Sequence, residues 1–257
     1  MKEKGQRMLF YTLLLILTSI AGLLLTATFT LFPHSFQKGF SLRKPLTGVL
    51  FAFICVVGIV AVFFPSQCSG KLYFRKTKEH LHAHSYAEEK ESFRKTSRFF
   101  GLKLTHGHHP LCKGFAHHEF SINGKSFCVA CTGLLVGASI ALPAAVLYFF
   151  SEWNIESCTL LFLVLGTLGI ATALVQYAFF EPKNRGLRFV LNTFFVLAAF
   201  FLLAVIETTA KSILLNLFVV SLTVFWLFTR ITLSKFAHIR ICIDCSVKCI
   251  EADLSMT

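Results

Sequence analysis

Charged side chains are scarce in this chain: Asp, Glu, Lys and Arg together make up 15% of its 257 residues. An ordinary soluble domain carries about 25%, so that class is excluded. Carboxylates are the scarcer half, 13 against 25 Lys and Arg. No run of acids interrupts the apolar sequence, so nothing there marks an ion path through a bilayer. Glu119 is the one carboxylate near the His/Cys-rich stretch, which argues against a hydrolytic metal enzyme with its own general base. The stretch from Pro65 to Phe127 has no internal repeat, and neither proline nor glycine falls between Lys71 and Phe100.

What is abundant is apolar. Hydrophobic residues make up 55% and 30 residues are Phe. Runs long enough to cross about 30 Å of hydrocarbon recur at Met8 to Phe32, Leu46 to Phe64, Gly133 to Phe150, Cys158 to Phe180, Leu187 to Ile206 and Ser212 to Leu233. Lipid offers backbone groups no partner, so each run is expected to be a helix. The fold class expected is an all-α membrane protein with about six transmembrane helices, a His/Cys-rich loop and a Cys-rich tail. The first run follows Lys2, Lys4 and Arg7 but is longer than a signal peptide's core and lacks a convincing small-residue cleavage site, so it is read as a retained helix.

The resulting divisions are 1–64 (helices one and two), 65–132 (a basic loop), 133–233 (helices three to six) and 234–257 (the tail). Six spans put every basic residue except Lys38, Arg43, Lys44 and Lys211 on one face, with Arg188 and Arg230 assigned to their nearest span ends. Basic loops accumulate on the cytoplasmic side. Both termini, the loop and the tail are therefore expected in the cytoplasm, with the protein in the cell (plasma) membrane. The excess charge of +12 is then a one-sided surface suited to anionic lipid, and no nucleic acid is expected as partner. An unidentified protein partner fits a docking role.

Within the loop, His80 and His84 share a face at i, i+4 spacing if the segment is helical, but a solvated charged helix explains them as well. Phe93, Phe99, Phe100, Leu102 and Leu104 mix with Arg94, Lys95, Arg98 and Lys103, a mixture that predicts a helix lying on the inner leaflet. In the third span, Gly133, Gly137, Ala141 and Ala145 form a small-residue stripe that permits close helix approach. Gln176, Asn192 and Asn216 read as helix-to-helix hydrogen bonds.

The chemistry concentrates between His106 and Gly137. Nine cysteines is an odd number, and cytoplasmic thiols stay reduced, so clustered Cys point to metal more than to disulfides. A structural zinc wants four thiolate or imidazole donors, and a Cys-x2-Cys turn presents two of them. Cys128 and Cys131 supply the turn, and Cys112 with an upstream histidine completes it, because Gly114, Asn123 and Gly124 let the chain fold back. His118 is the preferred fourth ligand, with His109 and His117 as alternates. The tail carries a second or shared set, His238, Cys242, Cys245 and Cys249. Zinc is the cofactor expected. An iron-sulfur cluster is less well served, since the tail lacks a fourth Cys.

The string His108-His109-Pro110-x-Cys112-x2-Phe115-x2-His118, then Gly124, Cys128-x2-Cys131-Thr132-Gly133-Leu134 and Gly137, resembles an uncharacterised family of archaeal multi-pass membrane proteins. Its Cys-x2-Cys-Thr-Gly end is more distantly similar to a broader prokaryotic membrane domain of unknown function, from which it departs in having Ala130 before the second Cys where that group has Arg. The resemblance implies that Cys112, His118, Cys128 and Cys131 act as a unit. It implies no reaction.

The functional expectation is an integral membrane protein with a structural metal site and a docking or scaffold role, leaning away from enzymatic activity. Two alternatives stay open. One is a membrane thiol oxidoreductase using Cys128 and Cys131, whose thiolates a helix N-terminus favours. The other is a transporter of a small solute or ion.

Overall fold

The computed structural model describes residues 2–32, 42–63, 95–99, 102–106, 116–122, 125–151, 153–178 and 182–244. Its helices are α1 (Lys2–Leu31), α2 (Arg43–Phe63), α3 (Val129–Phe150), α4 (Thr159–Ala178), α5 (Arg185–Thr209) and α6 (Ile213–Asp244), with a short 3-10 turn at Glu156–Cys158 leading into α4. All six helices are long and apolar enough to cross a membrane, as the hydropathy of the sequence predicts. They give the chain a multi-pass helical architecture.

Helix α5 is the hub. In its most apolar stretch 56% of residues are buried inside the protein, against 22% for α2. It packs against α3 and α4, while α2 leans on α3, and α6 touches α1, α2, α4 and α5. Phe51, Phe149, Ile170, Leu202, Leu203, Ile206 and Trp226 are fully buried between them. Leu17, Leu24, Phe53, Leu160, Leu168, Val190 and Phe228 point outward from the helices that carry them, an arrangement that suits a lipid solvent.

The small-residue stripe works as expected. Gly133, Gly137, Ala141 and Ala145 are all buried. A Cβ built on Gly133 would stand 2.6 Å from the Phe189 carbonyl oxygen, and one on Gly137 2.6 Å from that of Thr193. The α3 and α5 backbones therefore touch, and Thr193 Oγ1 donates to the Gly133 carbonyl across the seam at 3.0 Å. Gly137→Val would drive methyl groups into that backbone, for an expected loss of about 1–3 kcal/mol. A melting curve in detergent coinciding with that of the wild type would refute the close-packing account.

Among the described residues of the loop are four short strands: β1 (Lys95–Phe99), β2 (Leu102–His106), β3 (Glu119–Ile122) and β4 (Lys125–Cys128). They form two antiparallel hairpins, with Lys95 opposite His106 in the first and Glu119 opposite Cys128 in the second. This corrects one expectation: the stretch around Phe99 to Leu104 pairs as a hairpin where an inner-leaflet helix was expected. The physical reason can be read in the sequence: Phe100-Gly101 separates two stretches carrying the β-branched Thr96 and Thr105, a pattern that favours strand pairing. In the second hairpin the sequence between β3 and β4 is Asn123-Gly124, a strong turn signal. His80, His84 and Phe93 lie outside the described residues.

Helix boundaries shift as well. Helix α3 begins at Val129, so Cys131 sits in its first turn and Cys128 is its N-cap. Helix α6 continues past Leu233 to Asp244, which places Cys242 on the helix. Arg188 and Arg230, assigned to span ends by the charge count, are buried in the bundle at 2% and 5% exposure.

Candidate functional site

The β3–β4 hairpin feeds directly into α3, and that junction positions the first ligand candidates. Val129 N donates to the His118 carbonyl at 2.9 Å, and Glu119 pairs with Cys128 in the ladder. His118 and Cys128 are thereby held at the same end of one hairpin, and both are buried. Thr132 Oγ1 donates to the Cys128 carbonyl at 2.9 Å, closing the first turn that carries the half-buried Cys131. Cys128 and Cys131 are not joined by a disulfide.

His117 is exposed while its neighbour His118 is buried, so the geometry separates the preferred histidine from its adjacent alternate. His118 meets α6: its ring lies 5.3 Å, centroid to centroid, from that of His238 at an interplanar angle of 67°. One residue from each of the two His/Cys groups in the sequence thus reaches the same place. Cys112, His109, Cys245, Cys249 and the side chain of Cys242 lie outside the described residues. Among the described residues no three His, Cys, Asp or Glu side chains gather closely enough to hold a metal ion.

Arginines from α5 hold this end together. Arg185 Nη2 and Nε donate to the Ala116 carbonyl at 2.8 and 3.2 Å. Arg188 Nη2 donates to the Pro182 carbonyl at 3.2 Å, and its Nη1 lies 2.6 Å from His118 Nδ1 and 2.9 Å from Nε2. A guanidinium only donates, so the ring nitrogen that takes this bond is an acceptor. The opposite nitrogen of the neutral ring then carries the proton and is a donor.

One turn deeper, Asn192 Nδ2 donates to the Arg188 carbonyl at 2.6 Å. Its Oδ1 accepts from Arg230 Nη2 at 2.6 Å, Arg230 Nε at 3.0 Å and the Tyr177 hydroxyl at 3.1 Å. Arg230 Nη2 also donates to the Tyr177 oxygen at 3.1 Å. This knot ties α4, α5 and α6. The sequence reading of Asn192 as a helix-to-helix bridge is thus met, but Arg230 and Tyr177 were missed as its partners. A signal existed, an arginine within the apolar run Phe225 to Leu233, read as a span end because only a lone charge stood there.

A second polar knot occupies the opposite end. Arg43 Nε donates to both oxygens of Glu207 at 3.0 and 3.1 Å, and Arg43 Nη1 donates to the Lys211 carbonyl at 2.7 Å. Asn216 Nδ2 donates to Glu207 Oε2 and, at 3.0 Å, to Thr47 Oγ1. Helices α2, α5 and α6 converge there around a carboxylate that is 3% exposed.

No family model matches the chain, and no curated protein or solved structure matches it either.

Proposed function

We propose that the protein is a membrane scaffold whose β3–β4 hairpin, adjoining loop and α6 end are pinned by structural zinc into a docking cap. The reading rests chiefly on one observation: His118 of the loop and His238 of α6 have their rings 5.3 Å apart. The contact brings one residue of each ligand-rich segment to the same end of the bundle. Cys128, Cys131, His118 and Cys112 are the proposed first set, and His238, Cys242, Cys245 and Cys249 join it or form a second. Zinc held by several thiolates carries net negative charge, which complements the neighbouring Arg188 and Arg185. In this reading the cap faces the cytoplasm of the cell membrane, where its basic surface also meets anionic lipid.

Metal analysis of the purified protein is the decisive measurement. Stoichiometric zinc is expected, falling by at least half in Cys128→Ser and in Cys131→Ser, and at low pH as protons compete for the ligands. Metal-free wild-type protein with a titratable Cys128–Cys131 disulfide would overturn the proposal and favour thiol redox chemistry, which the N-terminal position of both thiols on α3 also suits.

A further inference from the structure

The knot around Arg230 is built from neutral groups only. Its guanidinium, 5% exposed, has as partners the Asn192 amide oxygen and the Tyr177 hydroxyl, with the Tyr177 ring 5.4 Å from Cζ. Among the described residues no carboxylate pairs with it. Glu207 is committed to Arg43 and stands about 22 Å from Asn192 along α5, at 1.5 Å per residue. Arg230 itself lies about 12 Å inside the end of its span at His238. A permanently charged group at that depth is costly unless something of opposite sign accompanies it.

The surroundings supply further donors without acceptors. Trp226, one turn from Arg230 on the same face of α6, is 0% exposed, and its Nε1 has no partner among the described residues. Thr229 Oγ1 and, on α1, Ser19 Oγ are likewise buried without a hydrogen bond. Neighbouring hydroxyls on the same two helices behave differently: Thr26, Thr30 and Thr223 each donate to the carbonyl four residues earlier, at 2.8 to 2.9 Å. Helices α1 and α6 run antiparallel, and Gly22 packs on Leu222. That register sets Ser19, one turn along α1, level with Trp226, one turn along α6. The indole N–H and the guanidinium can only donate, and buried donors of this kind normally have partners. A single acceptor of negative charge would answer both the charge and the hydrogen-bonding deficit.

We propose that Arg230, Trp226, Thr229 and Ser19 form an intramembrane binding site for a small monovalent inorganic anion. The site is independent of the zinc cap, and its occupant serves as the counter-charge of Arg230. Halide is the natural probe, because iodide quenches indole fluorescence and the chain has only two tryptophans. Trp153 is 48% exposed in the loop before α4, so Trp153→Phe leaves Trp226 as the single reporter.

Iodide titration of the full-length Trp153→Phe protein in detergent is expected to give quenching that saturates and that chloride reverses by competition. A fully buried indole without a nearby site would show neither. Arg230→Gln in the same background should raise the apparent dissociation constant at least about tenfold. Where that variant does not fold, Ser19→Ala combined with Thr229→Val leaves the Arg230, Asn192 and Tyr177 bonds in place and should weaken iodide at least about threefold. Absent or purely linear quenching in the folded Trp153→Phe protein overturns the proposal, as does saturable quenching that neither set of substitutions alters. The first outcome would mean that water alone satisfies these donors.

Discussion

Asn192→Leu is expected to cost about 3–5 kcal/mol of stability, enough to abolish the fold in a chain of ordinary marginal stability. Leucine has nearly the shape of asparagine, so packing against its neighbours would change little. What it removes is the single oxygen that accepts from Arg230 Nη2, Arg230 Nε and the Tyr177 hydroxyl at 2.6, 3.0 and 3.1 Å. The guanidinium would be left buried with only the Tyr177 oxygen as acceptor, and such an uncompensated charge costs far more than one lost hydrogen bond. Asn192→Asp separates charge from shape. It retains the acceptor and adds the negative charge, so it is expected to melt well above the leucine variant despite losing the donor to the Arg188 carbonyl. If thermal unfolding in detergent ranks leucine equal to or above aspartate, Arg230 does not depend on Asn192 in the way described.

The membrane-spanning part of this structure was legible in the sequence because it depends on composition along one chain. Each span has to satisfy its own backbone in lipid, so the six apolar runs reappear as six helices with ends shifted by a few residues. The Gly133 to Ala145 stripe was legible for a similar reason, since small side chains state their purpose locally. Arg188 and Arg230 were not. A charge near the end of an apolar run can extend to water or turn inward, and the choice rests on what the other helices present. Here α4 offers Tyr177 and α5 offers Asn192, residues distant in sequence from Arg230. The meeting of His118 with His238 was suggested only by topology, which put loop and tail on one face without bringing any two residues into contact. The first hairpin was misread for another reason: a segment free of proline permits a helix, but it does not exclude a strand, and the Thr96, Gly101 and Thr105 pattern favoured pairing.

At the opposite end of the bundle, removing one member of an ion pair should matter more than removing both. Arg43→Ala deletes two bonds to a Glu207 carboxylate that is only 3% exposed, together with the Nη1 bond to the Lys211 carbonyl. Asn216 remains as a donor to that carboxylate, but one amide cannot balance a buried charge, and the expected loss is about 3–5 kcal/mol. The Arg43 side chain is itself 21% exposed, so water that enters the vacated space pulls the figure toward the lower end. Adding Glu207→Gln to Arg43→Ala removes the orphaned charge while keeping an oxygen for Asn216, and should recover more than half of the loss. Such recovery makes the double variant more stable than the single, a sign that additive packing losses cannot produce. Unfolding midpoints of the four proteins in the cycle, measured in one detergent, decide the matter. A double variant less stable than Arg43→Ala would show that Glu207 is held by the shape of the α2, α5 and α6 junction, with its pairing to Arg43 incidental.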